Sequence, residues 1–203
     1  MKFLGGKNLD KLNLLKEINS SISKCDKCIL HEGRTMTVPG EGDVNSPVMF
    51  VGEGPGREED LSGSPFVGRA GKLLTNILKA VKLERKDVFI SNIVKCRPPN
   101  NRTPLFEEME TCYPFLKAQI QLIKPKLIVT LGSASLSYLI GKKRISITKM
   151  RGEIIKWKYG IDIFPMLHPS YLLRNQSNEP GSPKYLTWQD IKEVRRLFDE
   201  YKI

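Results

Sequence analysis

Apolar residues recur along the chain with two different periods, and the alternation between them outlines the fold. Leu9, Leu12, Leu15, Ile18 and Ile22 stand three or four apart and predict an amphipathic helix over residues 9–23. Pro47–Val51 (PVMFV), Val88–Val94 (VFISNIV) and Leu127–Leu131 (LIVTL) are short runs apolar at nearly every position, as strands covered on both faces are. Helical spacing returns in Leu73, Leu74, Ile77, Leu78 and Val81, and again in Leu105, Met109, Cys112, Leu116, Ile120 and Ile123. Thr103-Pro104 reads as the N-cap and first turn of the latter helix. Ser133–Ile140 predicts a short helix, Ile154–Met166 a strand pair turning at Tyr159-Gly160, and Trp188, Ile191, Val194, Leu197 and Tyr201 a last helix starting near Ser182-Pro183. Helices alternating with doubly buried strands predict a single α/β domain, 1–203, with a central, mainly parallel sheet flanked by helices. Ligands in such sheets sit at the carboxyl ends of strands, so the segments after Val51, Val94 and Leu167 carry the most interest.

Charge narrows the class of partner. Lys and Arg number 33 against 22 Asp and Glu, a net charge of +11, which suits a polyanion and nucleic acid above all. Between Lys142 and Lys158, seven basic residues (Lys142, Lys143, Arg144, Lys149, Arg151, Lys156 and Lys158) face one acid, Glu153, and read as a track for a phosphate backbone. The longest uncharged stretch, Leu127–Gly141, is shorter than the roughly 18 apolar residues of a membrane span. The first residues carry charges throughout and contain no apolar signal core, so no membrane association and a cytoplasmic location are expected.

Four segments carry candidate chemistry. Gly52-Glu53-Gly54-Pro55-Gly56 lets a backbone approach a ligand, yet no Gly-Lys-Ser/Thr follows and the spacing is not GxGxxG, so no nucleotide cofactor is indicated. Phe66 lies in a loop between Pro65 and Gly68, either a core plug or a stacking surface for a base. Asn92 sits in an apolar strand and must find partners, structural or on a pyrimidine edge. His168 directly follows an apolar strand and opens a proline turn, whereas His31 has no such setting. The cysteines Cys25, Cys28, Cys96 and Cys112, in a reducing compartment, read as a metal or cluster site rather than as disulfides.

In this order the segments resemble the uracil-DNA glycosylase superfamily, most closely its iron–sulfur, thermophile-type branch, family four. The resemblance rests on Gly52–Gly56 with Glu58-Glu59-Asp60 behind it, Gly63–Gly71 (GSPFVGRAG), Asn92–Pro99 (NIVKCRPP), His168–Asn175 (HPSYLLRN) and the four cysteines, and covers the chain from about Cys25 onward. It implies a repair enzyme that flips uracil out of DNA and hydrolyses its N-glycosidic bond. It implies that Phe66 stacks on the base, Asn92 bonds its Watson–Crick edge, His168 meets O2, and backbone around Glu53 and Gly54 closes the pocket. Gly54 stands where the best-known relatives carry a water-positioning aspartate, which leaves Glu53 and Glu59 as candidates for that task. The cysteines resemble ligands of a 4Fe-4S cluster, with zinc as the rival, although Cys96 and Cys112 do not form a zinc knuckle. Leu172, four residues after His168, resembles the duplex-inserting leucine. Arg174, Lys142, Lys143, Arg144 and Arg151 complete the expected DNA contacts. Uracil-containing DNA is the expected partner, a sliding clamp a further candidate, and the expected state a monomer. A non-catalytic Fe–S module that binds DNA is the alternative.

Overall fold

A computed structural model of the chain describes residues 3–202; residues 1, 2 and 203 of the expected domain lie outside the described residues. The strands are β1 (Glu41–Gly42), β2 (Val48–Gly52), β3 (Phe89–Asn92), β4 (Leu127–Leu131), β5 (Ile155–Lys156) and β6 (Asp162–Met166). They form one sheet in the order β1-β3-β2-β4-β6-β5. The inner four are parallel, and the two-residue strands β1 and β5 close the edges antiparallel. Every residue of the inner strands is buried, as the unbroken apolar runs require.

Side chains alternate across this sheet and so build two cores. Val48 and Phe50 of β2, Val129 and Leu131 of β4 and Phe164 of β6 pack with Leu74 and Leu78 of α4 (Arg69–Ala80) and with Ile191, Val194 and Leu197 of α9 (Pro183–Tyr201). Met49 and Val51, Ile128 and Ile163 point the other way, onto Leu116 and Ile120 of α5 (Phe106–Ile123) and Leu136 of α6 (Ser133–Ile140). The helix α1 (Phe3–Ser23) lies on α5 and begins ahead of the apolar repeat that marks it in the sequence. Ser182 caps α9 as expected, its hydroxyl accepting from Tyr185 N–H.

The cap of α5 departs from expectation. Leu105 is the N-cap, and Glu108 Oε2 accepts its N–H at 2.7 Å. The Thr103 side chain instead faces Glu53 and favours its charged form. Strand β1 is also absent from the hydrophobic pattern, because its signal is backbone rather than side chain. A Cβ on Gly42 would lie 1.9 Å from the Val88 carbonyl oxygen, so only glycine lets this edge approach β3.

The chain adds β3 on one side of β2 and then crosses to place β4 on the other. The crevice at this reversal, above the carboxyl ends, is where an open α/β sheet can admit a ligand.

Candidate active site

A cleft of about 470 Å³ opens there, and each inner strand supplies part of its wall. Glu53 and Gly54 follow β2, Asn92 ends β3, Gly132 and Ser133 follow β4, and His168 follows β6. Gly132 has φ +90° and leaves just room for the His168 side chain, whose Cβ would be 3.0 Å from a Cβ at that position.

Phe66 forms the opposite wall. It is 7 % exposed, its ring is 5.9 Å from that of His168, and its backbone is left-handed with φ 52°. A non-glycine residue in that region is strained and persists only where its surroundings hold it. Here Glu59, on α3 (Arg57–Ser62), accepts the N–H groups of Val67 and Gly68 at 2.9 Å each with Oε1, and that of Gly56 at 3.1 Å with Oε2. From the other side Arg85 donates to the carbonyls of Pro65 and Phe66 at 2.5 and 3.0 Å. Gly71 closes the clamp, since a Cβ there would fall 1.9 Å from the Phe66 carbonyl.

Asn92 is 1 % exposed, and its Oδ1 has no hydrogen-bond partner. A buried, unpaired acceptor costs about 1–3 kcal/mol unless something outside the chain satisfies it. The carboxamide rests on Gly52, where a Cβ would stand 2.4 Å from Oδ1 and 2.5 Å from the Phe66 ring. His168 Nδ1 accepts the Ser170 N–H at 3.1 Å, and the Ser170 hydroxyl lies 2.8 Å from the same nitrogen. Burial pushes the His168 pKa down to about 4, helped by the Arg174 charge and opposed by Glu59. The ring is therefore neutral near pH 7 and carries its proton on Nε2.

The two carboxylates expected near the reacting centre both line the cleft but differ in their partners. Glu59 has its oxygens committed to three backbone N–H groups and clamps the Phe66 loop. For Glu53, burial raises the pKa, and the Thr103 hydrogen bond opposes the rise. Gly54 cannot exchange places with it, because a Cβ there would press on Val94 Cγ2 at 2.7 Å.

A sequence model described as the uracil DNA glycosylase superfamily matches residues 39–192. The chain belongs to the uracil-DNA glycosylase superfamily. It is 53 % identical over 182 residues to a Type-4 uracil-DNA glycosylase of Thermotoga maritima, covering 90 % of this chain and 93 % of that one. It is 47 % identical over 193 residues to one of Sulfurisphaera tokodaii, covering 92 % and 86 %. It is also 47 % identical over 202 residues to one of Saccharolobus solfataricus, covering 96 % and 90 %.

Two of the DNA contacts expected from the superfamily resemblance are displaced by the structure. Leu172 is 1 % exposed: on α8 (Pro169–Arg174) it turns into the core, and the neighbouring Leu173 lines the cleft. Arg151 is bonded through two of its nitrogens to Asp190, which is 1 % exposed, and gives a further bond to the Leu186 carbonyl, so it is a structural ion pair rather than a phosphate contact. Lys142, Lys143 and Arg144 are exposed, but they follow the far end of α6, about 12 Å from its start at the cleft. Arg174 is exposed beside the cleft. The cations that line the cleft, Arg57, Arg69 and Arg102, escape a reading of charge runs because they are scattered in sequence. Gly132 and Ser133 had a signal: LIVTLG ends a strand on glycine just as VMFVG does.

The four cysteines are unpaired and line one small cavity on the α1 and α5 side of the sheet. Arg34 donates to Cys96 Sγ at 3.3 Å, and the Lys95 backbone N–H donates to Cys112 Sγ at 3.2 Å. Burial pushes the Cys112 thiol up to about 11, against the pull of Lys95. Burial also raises that of Cys96, against Arg34. Among the described residues no three His, Cys, Asp or Glu side chains close around a single point as a lone ion requires.

Proposed function

We propose that this chain excises uracil from DNA: it flips the nucleotide into the cleft, hydrolyses the N-glycosidic bond and releases free uracil, leaving an abasic site. The observation that carries this reading is the buried, unpartnered Oδ1 of Asn92 in a cleft that Phe66 and His168 also line. Uracil presents N3–H to such an acceptor, and its O4 can take an N–H of the same carboxamide; cytosine presents an unprotonated N3 and would leave Oδ1 unpaired. Phe66 offers the stacking face, held by Glu59 and Arg85 before any base arrives. Nε2–H of His168 donates to O2, where negative charge grows as the bond to the sugar breaks. Glu53 is the group placed to orient the attacking water. Arg57, Arg69 and Arg174 meet phosphates at the mouth, Arg102 is held by buried Glu108 through two of its nitrogens, and Leu173 takes the wedge role expected of Leu172.

The cysteine cavity fits an iron–sulfur cluster. Four cysteines make the donor set, His31 lines the same cavity with its Nδ1 on the Cys28 carbonyl, two N–H groups point at sulfur, and Arg34 and Lys95 oppose the burial that raises the Cys96 and Cys112 thiols. When bound, a 4Fe-4S cluster would tie the segment after α1, the loop after β3 and helix α5 into one unit. The alternative, a non-catalytic Fe–S module that binds DNA, does not need the unpaired reader. The deciding experiment offers a single-uracil oligonucleotide and its thymine counterpart: free uracil is expected from the first and no base from the second. Binding of both without release would favour the alternative.

A further inference from the structure

Beneath the cleft lies a buried lysine that the reaction does not touch. Lys95 is 1 % exposed and is not part of the cleft wall. Three oxygens surround its amine, Ser91 Oγ at 2.6 Å, the Asn92 carbonyl at 2.8 Å and Gln119 Oε1 at 2.8 Å, and they match the three donors of the protonated form against the burial that lowers its pKa to about 7. A buried cation is tolerated only with fixed polar partners, and in turn it fixes them. Gln119, on α5, is itself fully buried and donates to the Pro39 carbonyl at 2.8 Å, as Ser91 Oγ does at 3.0 Å. The main chain of Lys95 faces the other way, its N–H on Cys112 Sγ and its carbonyl accepting from Val38 N–H at 2.8 Å.

We propose that Lys95 is a positioning residue for base reading: it holds the Asn92 peptide from below and ties the reader to α5, the helix that carries Cys112. The proposal rests on Asn92 reading the base, as argued above. The reach is short. Asn92 sits on Gly52 so closely that a Cβ there would be 2.4 Å from Oδ1, so a shift of a few tenths of an ångström in the Asn92 peptide displaces the carboxamide against Gly52 and Phe66. Lys95 acts through Asn92 and nothing else in the cleft, which makes its effect non-additive with loss of the Asn92 side chain.

The test uses the full chain, as purified, and two oligonucleotides that differ at one position, 2′-fluoro-2′-deoxyuridine (a uracil nucleotide that resists cleavage) or 2′-fluoro-2′-deoxycytidine, which has the same sugar and differs only at the edge Asn92 faces. The quantity read is the ratio of the two affinities. Asn92→Ala is expected to lower this ratio, Lys95→Met to lower it by about tenfold, and the double variant to match Asn92→Ala within about twofold. Additive losses, or a Lys95→Met ratio equal to the parent, overturn the proposal while leaving Asn92 as reader. A parental ratio for Asn92→Ala overturns the reading of the base by Asn92 and the proposal with it. Should Lys95→Met fail to fold, Gln119→Leu removes one acceptor of the ammonium and Gln119→Glu keeps it. A lower ratio in the leucine variant and a parental one in the glutamate variant support the proposal, and equal ratios overturn it.

Discussion

His168 Nδ1 accepts the backbone N–H of Ser170 at 3.1 Å, and this one bond decides what the imidazole can do. An N–H can only donate, so Nδ1 is the unprotonated nitrogen and the neutral ring carries its hydrogen on Nε2. A cationic ring would have to give up that bond, and burial together with the Arg174 charge already holds the pKa near 4.

The first prediction follows from the sign of that shift. The native pKa is depressed below 6.5, so the unfolded chain binds more protons between pH 6.5 and 4. Stability from neutral His168 is complete above pH 6.5 and falls as pH drops through that window. Excision that depends on the neutral ring should show no inflection near 6.5 and should persist to about pH 5. An NMR titration of the His168 ring, with the pH profile of the single-turnover rate, checks both; a midpoint at 6–7 in either would contradict the buried neutral ring.

The second prediction separates reading from cleavage. Asn92→Asp puts a charge or a second acceptor where the carboxamide donates, so uracil excision should fall sharply and slow cytosine release becomes measurable. His168→Ala should slow the chemical step by about 10²–10³-fold, as loss of one donor to a developing anion does, with little change in affinity for uracil-containing DNA. Parental rates in either variant would make that residue merely structural.

Sequence and structure agree best where chemistry and packing speak through side chains. Doubly apolar runs announced three of the four inner strands, the strand pair expected over Ile154–Met166 announced the fourth, and the carboxyl ends of those strands announced the cleft. Asn92 stood out as a lone amide among apolar neighbours. Lys95 broke the uncharged run that begins at Val88, a signal as plain as that of Asn92, yet a single lysine does not announce which oxygens surround it. What stayed hidden depends on direction. Whether Leu172 or Leu173 faces the cleft turns on the rotation of one short helix, and Arg151 looked like a DNA contact until α9 placed Asp190 against it. The clamp on Phe66 joins Glu59, Arg85 and Gly71 across separate segments, and no local spacing betrays it.

That clamp gives the third prediction. Glu59→Gln replaces one accepting oxygen with an NH₂ group that must face a backbone N–H, at a cost of about 1–3 kcal/mol. The melting temperature and the affinity for uracil-containing DNA should both fall. The single-turnover rate at saturating DNA should stay within a few fold of the parent. A hundredfold loss of that rate with unchanged melting would return Glu59 to the role of orienting water.

The fourth concerns the basic residues. Arg151→Ala leaves Asp190 buried without its partner and should cost about 3–5 kcal/mol, seen as an earlier denaturant midpoint, while the slope of log affinity against log salt stays as it was. Replacing Arg57 and Arg69 at the mouth should do the reverse, flattening that slope by up to about 0.9 for each lost phosphate contact with little change in stability. The same replacement at Lys142, Lys143 and Arg144 should move the slope less than the pair at the mouth does. A larger change at those three would place the DNA path along the far end of α6.

The last prediction is about what the cysteines hold. The thiols of Cys96 and Cys112 are raised by burial, so in the absence of a metal centre they stay protonated and the cavity has no covalent tie across its three segments. With a cluster bound, ligation adds its free energy to folding, because the unfolded chain cannot assemble the site. The protein purified without oxygen should therefore be yellow-brown, with about four irons per chain and broad charge-transfer absorption. Cys28→Ala should lose the colour and melt at lower temperature. If only the cluster is lost and the pocket survives, uracil excision at a temperature well below the new midpoint should fall by less than the loss seen for His168→Ala, since no thiolate reaches the cleft. Stoichiometric zinc and no iron would reject the cluster, and an unchanged melting temperature in Cys28→Ala would show that whatever the cysteines bind contributes nothing to the fold.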